Sequence, residues 1–581
     1  MAFWIYILRC ADDSYYTGHT DNLESRIAQH QSGNCDGRTS TRRPVKLVWS
    51  QAVSTREAAL SAEMQIKGWG RKKKAAMIRS EWQAVNRLGR GKHRQERAAP
   101  DAATSLAVPT TPRHALRQGS GHASTSDATR PTLSTNGAAV SSSVQPAQTA
   151  FFLGLDFGTS GARACVIDHD KTIVWEQRIA YPDPDPLRPG SGQAQTPADW
   201  RAALHALLGA LPQHIAGRLQ GLAIDGTSGT VLLCDAELEP CSPALLYNDQ
   251  RALQQAEQLR AIAPNDHTVC AATSGLAKFL WLTRQSGHER AAYFLHQADW
   301  LTGLLSGQPG ISDYHNALKT GYDVEALRWP DWLMTFPHTH LLPQVVAPGS
   351  VIAQIRPDIA AHFGINPQCA IHAGTTDSTA AFIAAGVSQT GVGVTTLGTT
   401  LVLKQLSTQR IDAAKYGVYS HRYGELWLAG GASNAGAGVL RRYFDDAQLV
   451  SLSAKIDPLQ DSPLDYYPLT GTGERFPVSD AQLKPRPLRL GSEQVTPRPG
   501  NDAEFLHGLL QGLARIEAAG YARLAELGAP ALAQVVTNGG GAKNAVWGTM
   551  RERLLGVPVS TAIHCEAAYG SALLCLRNPF T

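Results

Sequence analysis

The chain is 581 residues long, more than one compact unit at about 100 to 200 residues per domain. Hydrophobic residues make up 43% of it and charged residues 18%, so buried cores can form and a fibrous or wholly disordered protein is excluded. Because no window of about 20 apolar residues and no basic leader occur, we expect a cytoplasmic protein that does not enter the membrane. The nine cysteines include no Cys-x-x-Cys pair, which is typical of reduced thiols.

Charge divides the chain into two parts. Residues 1–97 hold 18 Lys or Arg against 9 Asp or Glu, whereas the remainder holds 35 basic and 40 acidic residues. Residues 98–150 are dominated by Ala, Ser, Thr, Pro and Gly, a composition that cannot bury enough apolar surface to order itself. We therefore predict a small basic domain at 1–85, a disordered linker at 86–150 and a large, mildly acidic part from 151 onward.

The basic domain begins with a hairpin pattern followed by a helical one. An apolar run, Phe3–Leu8, precedes a turn and then Tyr15–Gly18, which predicts two antiparallel strands. Apolar spacing predicts a helix over Asn22–Gln31, with Arg26 and His30 one turn apart on the same face. A further helix is predicted at 55–66 and carries Glu63.

These residues resemble the GIY-YIG nuclease domain, an α+β fold. Trp4-Ile5-Tyr6 corresponds to the first motif and Tyr16-Thr17-Gly18 to the second, with Trp in place of Gly and Thr in place of Ile. The resemblance implies that Arg26 neutralises charge on a phosphodiester, that Glu63 holds a divalent metal, and that Tyr6 and Tyr16 activate water or position the phosphate. The alternative is that the tyrosines are ordinary strand aromatics and Arg26 is a solvated helix residue.

A dense basic cluster follows beside Trp69. It consists of Lys67, Arg71, Lys72, Lys73 and Lys74. Such a cluster can neutralise phosphates and bind DNA without sequence preference. The alternative interpretation is a solvated charged helix face.

The large part contains several glycine- and hydroxyl-rich turns. A buried strand at Phe151–Leu155 leads into the hairpin tip Asp156–Arg163, whose glycines expose backbone N–H groups to a ligand. A carboxylate there can face a magnesium ion or a substrate hydroxyl, and this combination suits a nucleotide phosphate. Similar turns are predicted at Ala373–Ser378 and around Gly398, which suggests a duplicated architecture closing on one cleft.

A triple-glycine turn lies near the C-terminus. The strand Val535–Asn538 leads into Gly539–Gly541, and a helix follows that Gly556 is expected to end. Three glycines at a strand-to-helix junction allow a flat ring to lie against bare backbone.

In this order and separation, the turns resemble the actin-like ATPase superfold and, in detail, the FGGY carbohydrate kinases, over residues 152–576. The resemblance implies an α/β fold of two ribonuclease-H-like domains, at 151–395 for the sugar and 396–581 for ATP. It makes Asp377 the general base, places Asp156 near Mg²⁺ and the sugar, and brings both to one cleft with Gly539–Gly541 as the nucleotide wall. The implied phosphate contacts are Thr159, Ser160, Gly398 and Thr399, and the implied adenosine contacts are Gly540, Gly541, Asn544 and Trp547.

The expected acceptor is a pentulose. The segment Asp225–Thr230 is a small hydroxyl loop that lacks the Arg-Glu or Met-His-Gly segments of glycerol kinases and typical xylulokinases. It leaves room for a polyol bonded by Ser228 and Asp156, with Asp377 and Ser378 beside it, and it most resembles the D-ribulokinase group. D-Xylulose is the alternative, because the two sugars differ at one carbon. The loop could also be a plain connecting turn.

Three hypotheses for the whole chain compete. The first is a sugar kinase with an accessory N-terminal module. The second is a nucleic-acid-processing protein whose kinase-like part is inactive or senses a metabolite, and the third treats the basic module as a docking arm. The joint presence of Asp156, Asp377 and the triple glycine favours the first hypothesis.

Overall fold

The structure is a computed structural model that describes residues 3–32, 39, 42–53, 63, 66–67, 69–79, 150–182, 195–264, 267–486 and 498–576. The chain divides into two compact units, Met1–Gly137 and Ala138–Thr581. Apart from residue 150, the predicted linker at 86–150 lies outside the described residues.

The first unit is a three-stranded antiparallel sheet with helices on both faces. Its strands have the order β2-β1-β3. One face packs Tyr6 and Leu8 against α1, and the other packs Ile5 and Ile7 against Met77 of α2. The elements are β1 (Phe3–Arg9), β2 (Tyr15–Thr20), α1 (Leu23–Ser32), β3 (Lys46–Val53) and α2 (Arg71–Ile78).

The predicted hairpin and the first predicted helix of this unit are confirmed. The alternation of the strand residues explains the two buried faces, since successive side chains of a strand point to opposite sides. The helix predicted at 55–66 lies mostly outside the described residues. Within this stretch, the structure describes Glu63 and Ile66.

The second unit contains two six-stranded sheets and two small ones. Its strands are β4 (Phe151–Phe157), β5 (Gly161–Asp168), β6 (Ile173–Ala180), β7 (Leu219–Gly226), β8 (Val231–Cys234), β9 (Tyr293–His296), β10 (Ile311–Asp313), β11 (Gln344–Val346), β12 (Val351–Gln354), β13 (Ala370–Thr376), β14 (Val392–Leu397), β15 (Leu401–Ser407), β16 (Tyr419–Tyr423), β17 (Leu426–Ser433), β18 (Gln534–Asn538) and β19 (Val559–Thr561).

Helices cover the faces of these sheets. They are α3 (Pro197–Gly209), α4 (Gln213–Ala216), α5 (Leu253–Arg260), α6 (Gly275–Leu282), α7 (Gln297–Ser306), α8 (Tyr314–Ala317), α9 (Asp331–Met334), α10 (Pro357–Phe363), α11 (Asp377–Ala384), α12 (Asp446–Ser453), α13 (Asp502–Glu526), α14 (Ala545–Leu555) and α15 (Ala567–Leu573). Within the described ranges, no helix is both long and apolar enough to cross a membrane.

The two large sheets repeat one design. The first has the order β12-β13-β7-β4-β5-β6 and the second β16-β17-β15-β14-β18-β19. In each, a hairpin, β4-β5 or β14-β15, lies beside a parallel neighbour, β7 or β18. The expected pair of ribonuclease-H-like domains is therefore present, and the tips of the two hairpins carry the Asp156 and Gly398 turns.

The turn predicted at Ala373–Ser378 is wrong in form. Residues Ala370–Thr376 continue β13, and Asp377 begins α11 directly. The strands approach closely at Gly374, where an added Cβ would lie 1.8 Å from the Ile224 carbonyl oxygen of β7. Glycine is therefore required at this position of the strand. The predicted strand, triple-glycine turn and helix near the C-terminus are confirmed, and Gly556 ends α14 with a φ of 69°.

A buried ion pair fixes the strands that lead into the second domain's turns. Arg551 of α14 donates to both carboxylate oxygens of Glu517 in α13, at 2.6 and 2.7 Å. Arg551 also donates to Thr537 of β18, and Thr395 of β14 donates to Glu517. Since all four side chains are buried, the two strands and two helices are held in one polar network.

The last described helix joins the two halves of the second unit. A Cβ added at Gly154 of β4 would lie 1.9 Å from the Ala568 carbonyl oxygen of α15, and one added at Gly570 would lie 1.9 Å from that of Ala380 in α11. Helix α15 therefore packs backbone to backbone against the strand that carries Asp156 and the helix that begins with Asp377.

We predict that Gly570→Ala destabilises the protein by about 1 to 3 kcal/mol, because the new methyl group must displace α11. A matched control is Gly548→Ala in α14, where an added Cβ meets nothing within 4 Å. This control should stabilise by up to about 1 kcal/mol through helix propensity. Thermal unfolding of the two variants measures both effects, and equal melting temperatures would contradict the packing described.

Candidate active site

The site in the second unit is built on two aspartates from neighbouring parallel strands. Asp156 of β4 and Asp225 of β7 lie directly opposite each other in the strand register. Both are buried, at 2% and 0% exposure. Burial raises the pKa of Asp156, and burial together with the Asp156 charge raises the pKa of Asp225 well above its usual range. Burial therefore favours the protonated form of Asp225 more strongly than that of Asp156.

The two carboxylate oxygens of Asp225 have different surroundings, which indicates where a cation would bind. Ser571 of α15 donates to Asp225 Oδ2 at 2.6 Å. Asp225 Oδ1 is buried and, among the described residues, has no hydrogen-bond donor. A buried carboxylate oxygen that faces another carboxylate needs either a proton or a cation between them.

An arginine links Asp156 to the C-terminal segment. Arg163 of β5 donates to Asp156 Oδ2 at 3.0 Å, and its Nε lies 3.4 Å from Glu566 Oε2. Arg178 of β6 contacts the other oxygen of Glu566 at 2.9 Å. Glu566 directly precedes α15. This network therefore connects the β4-β5 hairpin to the start of α15.

Asp377 lies in the same electrostatic neighbourhood. As the first residue of α11, it accepts a hydrogen bond from the Ser378 backbone N–H at 2.6 Å. Burial and the Asp156 charge raise the pKa of Asp377 to about 6, against the effect of Lys404. Asp156 is therefore close enough to Asp377 to affect its ionisation, and a carboxyl with this pKa can accept a proton near neutral pH.

Lys404 of β15 faces the start of α11. Its Nζ donates to Ser378 Oγ at 3.2 Å and to Thr379 Oγ1 at 3.4 Å. Gly430 of the adjacent strand makes room for it, since an added Cβ there would lie 2.9 Å from Lys404 Cγ. Burial lowers the pKa of Lys404 to about 7 while the Asp377 charge acts the other way.

The two hairpin tips present exposed hydroxyls and backbone N–H groups. Thr159 and Ser160 are exposed in the turn between β4 and β5, as is Thr399 between β14 and β15. The second tip is held from behind by Ala437 N–H and Gly438 N–H, which donate to the Gly398 and Thr399 carbonyl oxygens. Both tips can therefore donate to an anion such as a phosphate group.

The triple-glycine turn lies beside these elements. It follows β18, which runs parallel to β14, so the Gly398 and Gly539 turns leave the same edge of the sheet. Asn538 donates to the Ala381 carbonyl oxygen of α11 at 3.1 Å, and the Cys565 thiol lies within hydrogen-bonding reach of the Gly539 backbone. Around Gly540, an added Cβ would meet nothing within 4 Å, which leaves open space against bare backbone.

The structure corrects two expectations for the adenosine contacts. Trp547 is 2% exposed, donates to the Leu510 carbonyl oxygen at 3.1 Å and packs behind Gly541, so it supports the turn and does not face a ligand. Asn544 caps α14 through the Trp547 N–H, and its amide nitrogen donates to Ser453 Oγ at 2.9 Å. Gly540 is exposed, whereas Gly541 packs closely against Trp547 and Leu397, and adenosine contact by these two glycines stays a prediction.

The loop predicted to hold the sugar follows β7. Ser228 Oγ is buried and has no hydrogen-bond partner among the described residues, although both neighbouring threonines are bonded. Two other aspartates of the second unit have structural roles. Asp299 accepts from the His296 N–H at the start of α7, and Asp313 accepts from the His315 and Asn316 N–H groups at the start of α8.

The side chains at this site supply only part of the coordination shell of a metal ion. Across the described residues, no group of three or more His, Cys, Asp or Glu side chains is arranged to hold a metal ion. Mg²⁺ in phosphoryl-transfer sites uses one or two carboxylates and completes its shell with phosphates and water. The buried carboxyl groups of Asp156 and Asp225 fit this pattern.

The first unit carries a separate cluster around Tyr6. The Tyr6 hydroxyl lies 2.8 Å from His30 Nε2, and His30 Nδ1 lies 2.8 Å from Thr39 Oγ1. Tyr6 is fully buried at 0% exposure, so it cannot itself activate water, and it orients His30 instead. Burial, and then the Arg26 charge, lowers the pKa of His30, so this imidazole is neutral at pH 7.

The other predicted residues surround this cluster. Tyr16 packs on His30 with a ring-centroid distance of 5.0 Å. Glu63 is buried and bonds His19 Nδ1 through Oε2 and Lys67 Nζ through Oε1, the latter at 2.6 Å. Glu63 raises the pKa of Lys67, and Tyr16 is close enough to add to this effect. A metal on Glu63 would therefore have to replace His19 or Lys67.

Part of the basic cluster is not at the surface. Lys74 is 9% exposed and donates to the Lys67 carbonyl oxygen at 3.2 Å, so it belongs to the packing of α2. Arg71 and Lys72 are exposed, and the Lys73 ammonium lies 4.3 Å from the Trp69 ring centroid. The exposed face is consequently smaller than the sequence indicated, although it remains basic.

Sequence reasoning missed Asp225, Arg163, Lys404 and the role of His30. A signal for Asp225 was present, because an apolar run ends in an aspartate both at Leu155-Asp156 and at Ile224-Asp225. Arg26 and His30 already shared a helix face. Nothing local marked Lys404, which gains its position from the pairing of β15 with β17.

The fold and the paired carboxylates define an actin-like sugar kinase architecture. Residues 151–384 match the family model of the FGGY carbohydrate kinase N-terminal domain, and residues 393–578 match that of the C-terminal domain. Residues 2–76 match the GIY-YIG catalytic domain. The chain therefore belongs to the FGGY family of carbohydrate kinases and carries a GIY-YIG domain at its N-terminal end.

Individual relatives agree with this assignment. A xylulose kinase of Klebsiella pneumoniae is 26% identical over 355 residues, covering 57% of this chain and 71% of that protein. A UPF0213 protein of Staphylococcus haemolyticus is 44% identical over 75 residues, covering 13% of this chain and 92% of that protein. The crystal structure of a xyloylose kinase from Brucella ovis has a TM-score of 0.64 and 25% identity, and covers 74% of this chain and 92% of its own.

We predict that Asp377→Asn stabilises the protein at about pH 8 by up to about 3 kcal/mol. The pKa of Asp377 rises from 3.8 to about 6 on folding, so between these pH values the folded wild type binds more protons than the unfolded chain does. Its free energy of unfolding therefore falls as the pH rises through this range. The difference between variant and wild type should vanish near pH 4. Thermal unfolding across this pH range, with Asp170→Asn on an exposed turn as control, measures it, and a pH-independent difference would contradict it.

Proposed function

We propose that the second unit transfers the γ-phosphoryl group of ATP to a hydroxyl group of a pentulose. The observation that carries the proposal is that Asp156, Asp225 and Asp377 affect one another's ionisation, with Asp156 in the strand that leads into a hydroxyl-rich hairpin tip. Membership of the FGGY family supports a carbohydrate kinase. The remaining step, from carbohydrate to pentulose, rests on the small loop that contains Ser228.

In the proposed reaction, Asp377 accepts the proton of the attacking hydroxyl. Its pKa of about 6 leaves it mostly ionised at neutral pH while keeping it basic enough to take that proton. Thr159, Ser160 and Thr399 donate hydrogen bonds to the phosphates. The Gly398 N–H, also expected as a phosphate contact, already donates to the Thr400 carbonyl oxygen at 3.2 Å. When bound, Mg²⁺ would be held at Asp156 and Asp225 and would neutralise phosphate charge. Gly540 and Gly541 provide the bare backbone against which the adenine lies.

Two epimeric sugars are candidates for the acceptor. The loop Asp225–Thr230, with its small side chains, favours D-ribulose by resemblance to the D-ribulokinase group. The names of relatives with the same two domains favour D-xylulose. Because the sugars differ in one hydroxyl configuration, a single hydrogen bond decides between them at a cost of about 1 to 3 kcal/mol.

ADP formation by the full chain should be stimulated by D-ribulose, more weakly by D-xylulose, and not by glycerol. Asp377→Ala should lower kcat by about 10² to 10⁴, since it removes the general base. Asp170→Ala, on an exposed turn, is the matched control and should keep wild-type kinetics. If neither pentulose stimulates ADP formation by the wild type, the proposed acceptor is wrong.

For the first unit, we propose binding and cleavage of DNA. The match of residues 2–76 to the GIY-YIG catalytic domain and the grouping of Tyr16, Arg26 and His30 support this. His30 is buried and both of its ring nitrogens have partners, Tyr6 and Thr39, so it holds the cluster together behind Tyr16. The exposed Arg71 and Lys72 supply phosphate contacts that are independent of base sequence.

Glu63→Gln should reduce plasmid nicking in the presence of Mg²⁺ by about 10² or more, because the neutral amide binds a divalent cation far more weakly than a carboxylate does. Arg9→Ala, which alters an exposed pair with Asp13, should nick like the wild type. The assay follows conversion of supercoiled to relaxed plasmid. Equal nicking by Glu63→Gln and the wild type would remove Glu63 from the mechanism.

A further inference from the structure

The loop Thr227–Thr230 is held at both ends by hydrogen bonds from other elements. The N–H and hydroxyl of Thr227 both donate to Gln297 Oε1 at 3.0 Å. At the other end, Thr230 Oγ1 accepts from the Tyr247 N–H at 2.9 Å, and its carbonyl oxygen accepts from the Gln297 N–H at 3.0 Å. Within the loop, the Thr230 N–H donates to the Thr227 carbonyl oxygen at 3.1 Å, so Ser228 and Gly229 form the middle of a closed turn.

A buried lysine holds the middle of the loop. Lys278 of α6 is 0% exposed, and its Nζ donates to the carbonyl oxygens of Gly229 and Leu246, each at 2.7 Å. Burying an ammonium group is unfavourable. Burial lowers the pKa of Lys278 to about 7, although the charge of Asp249 opposes this. An apolar side chain would fill the same space without that penalty, so packing alone does not explain a lysine here.

The contact with Lys278 holds the residue that directly follows Ser228. Gly229 has a φ of 80°, a conformation that side-chain-bearing residues rarely adopt, and Lys278 bonds its carbonyl oxygen, in the peptide group that joins Gly229 to Thr230. Ser228 Oγ is buried and is left without a hydrogen-bond partner among the described residues. A hydroxyl that the protein aims but does not satisfy is suited to a ligand hydroxyl.

We infer that Lys278 is a positioning residue for the acceptor sugar, which it serves by locking the Gly229 peptide and thereby aiming the Ser228 hydroxyl at a hydroxyl of the polyol. The inference rests on the proposed pentulose kinase function, because it takes Ser228 as a sugar contact. Lys278 touches neither the proposed base nor the phosphate-binding tips. Its effect should therefore be on sugar affinity and not on ATP.

The test compares Lys278→Met, Ser228→Ala and the double variant in the full chain. Each single variant should raise the KM for the pentulose by about 10-fold, the effect of one lost hydrogen bond, while the KM for ATP stays unchanged. If Lys278 acts through Ser228, the pentulose KM of the double variant should not exceed the higher of the two single-variant values. The inference would be overturned if the fold-increase in pentulose KM of the double variant equalled the product of the two single-variant increases. An unchanged pentulose KM in Lys278→Met would also overturn it.

Controls separate this role from a structural one. Thr283→Val removes a buried hydroxyl bond to the Phe279 carbonyl oxygen in the same helix and should keep the wild-type pentulose KM. A raised pentulose KM in this control would show that any damage to α6 suffices, against the inference. Should Lys278→Met not fold, Lys278→Gln, which keeps one donor, takes its place in the same cycle with the same criteria. A wild type without pentulose-dependent ADP formation overturns the proposed function, whereas an active wild type with a normal Lys278 variant overturns this inference alone.

Discussion

The second unit is organised around the burial of like charges. Asp156, Asp225 and Asp377 lie close enough for each to affect the ionisation of another, and burial raises the pKa of all three. Such a group is unstable as three free carboxylates in a low-dielectric environment. A shared proton relieves part of the repulsion, and a cation would relieve more. The same repulsion makes the proposed site receptive to a magnesium-bound nucleotide and keeps Asp377 basic.

The surrounding structure holds these charges in place through backbone contacts and one arginine. Helix α15 can pack tightly because Gly154 and Gly570 leave no side chain between it and its neighbours. Glu566, at the start of this helix, then fixes Arg163, which fixes Asp156. Elements far apart in sequence therefore meet at the carboxylates. This arrangement explains why a C-terminal helix matters for a residue on the first strand of the unit.

The GIY-YIG module shows the same principle on a smaller scale. Tyr6 is too deeply buried to act on a substrate, yet its hydroxyl orients His30, which lies beside Tyr16 and Arg26. Glu63 is already paired with Lys67 and hydrogen-bonded to His19. The two units thus present different chemistry, a neutral imidazole with basic groups in the first and clustered carboxylates in the second. Their opposite net charges agree with different ligands.

The amino-acid sequence by itself determined the local elements and most candidate positions. The hairpin around Gly158–Ser160 and the strand, glycine turn and helix at 534–555 follow from apolar periodicity and glycine, which act over a few residues. Only the tertiary structure placed Asp225 opposite Asp156, Lys404 beside Asp377 and Lys278 beneath Gly229, and showed that Trp547 and Tyr6 are buried. Those relations depend on strand register and on helix packing between segments distant along the chain, and local sequence patterns do not encode them.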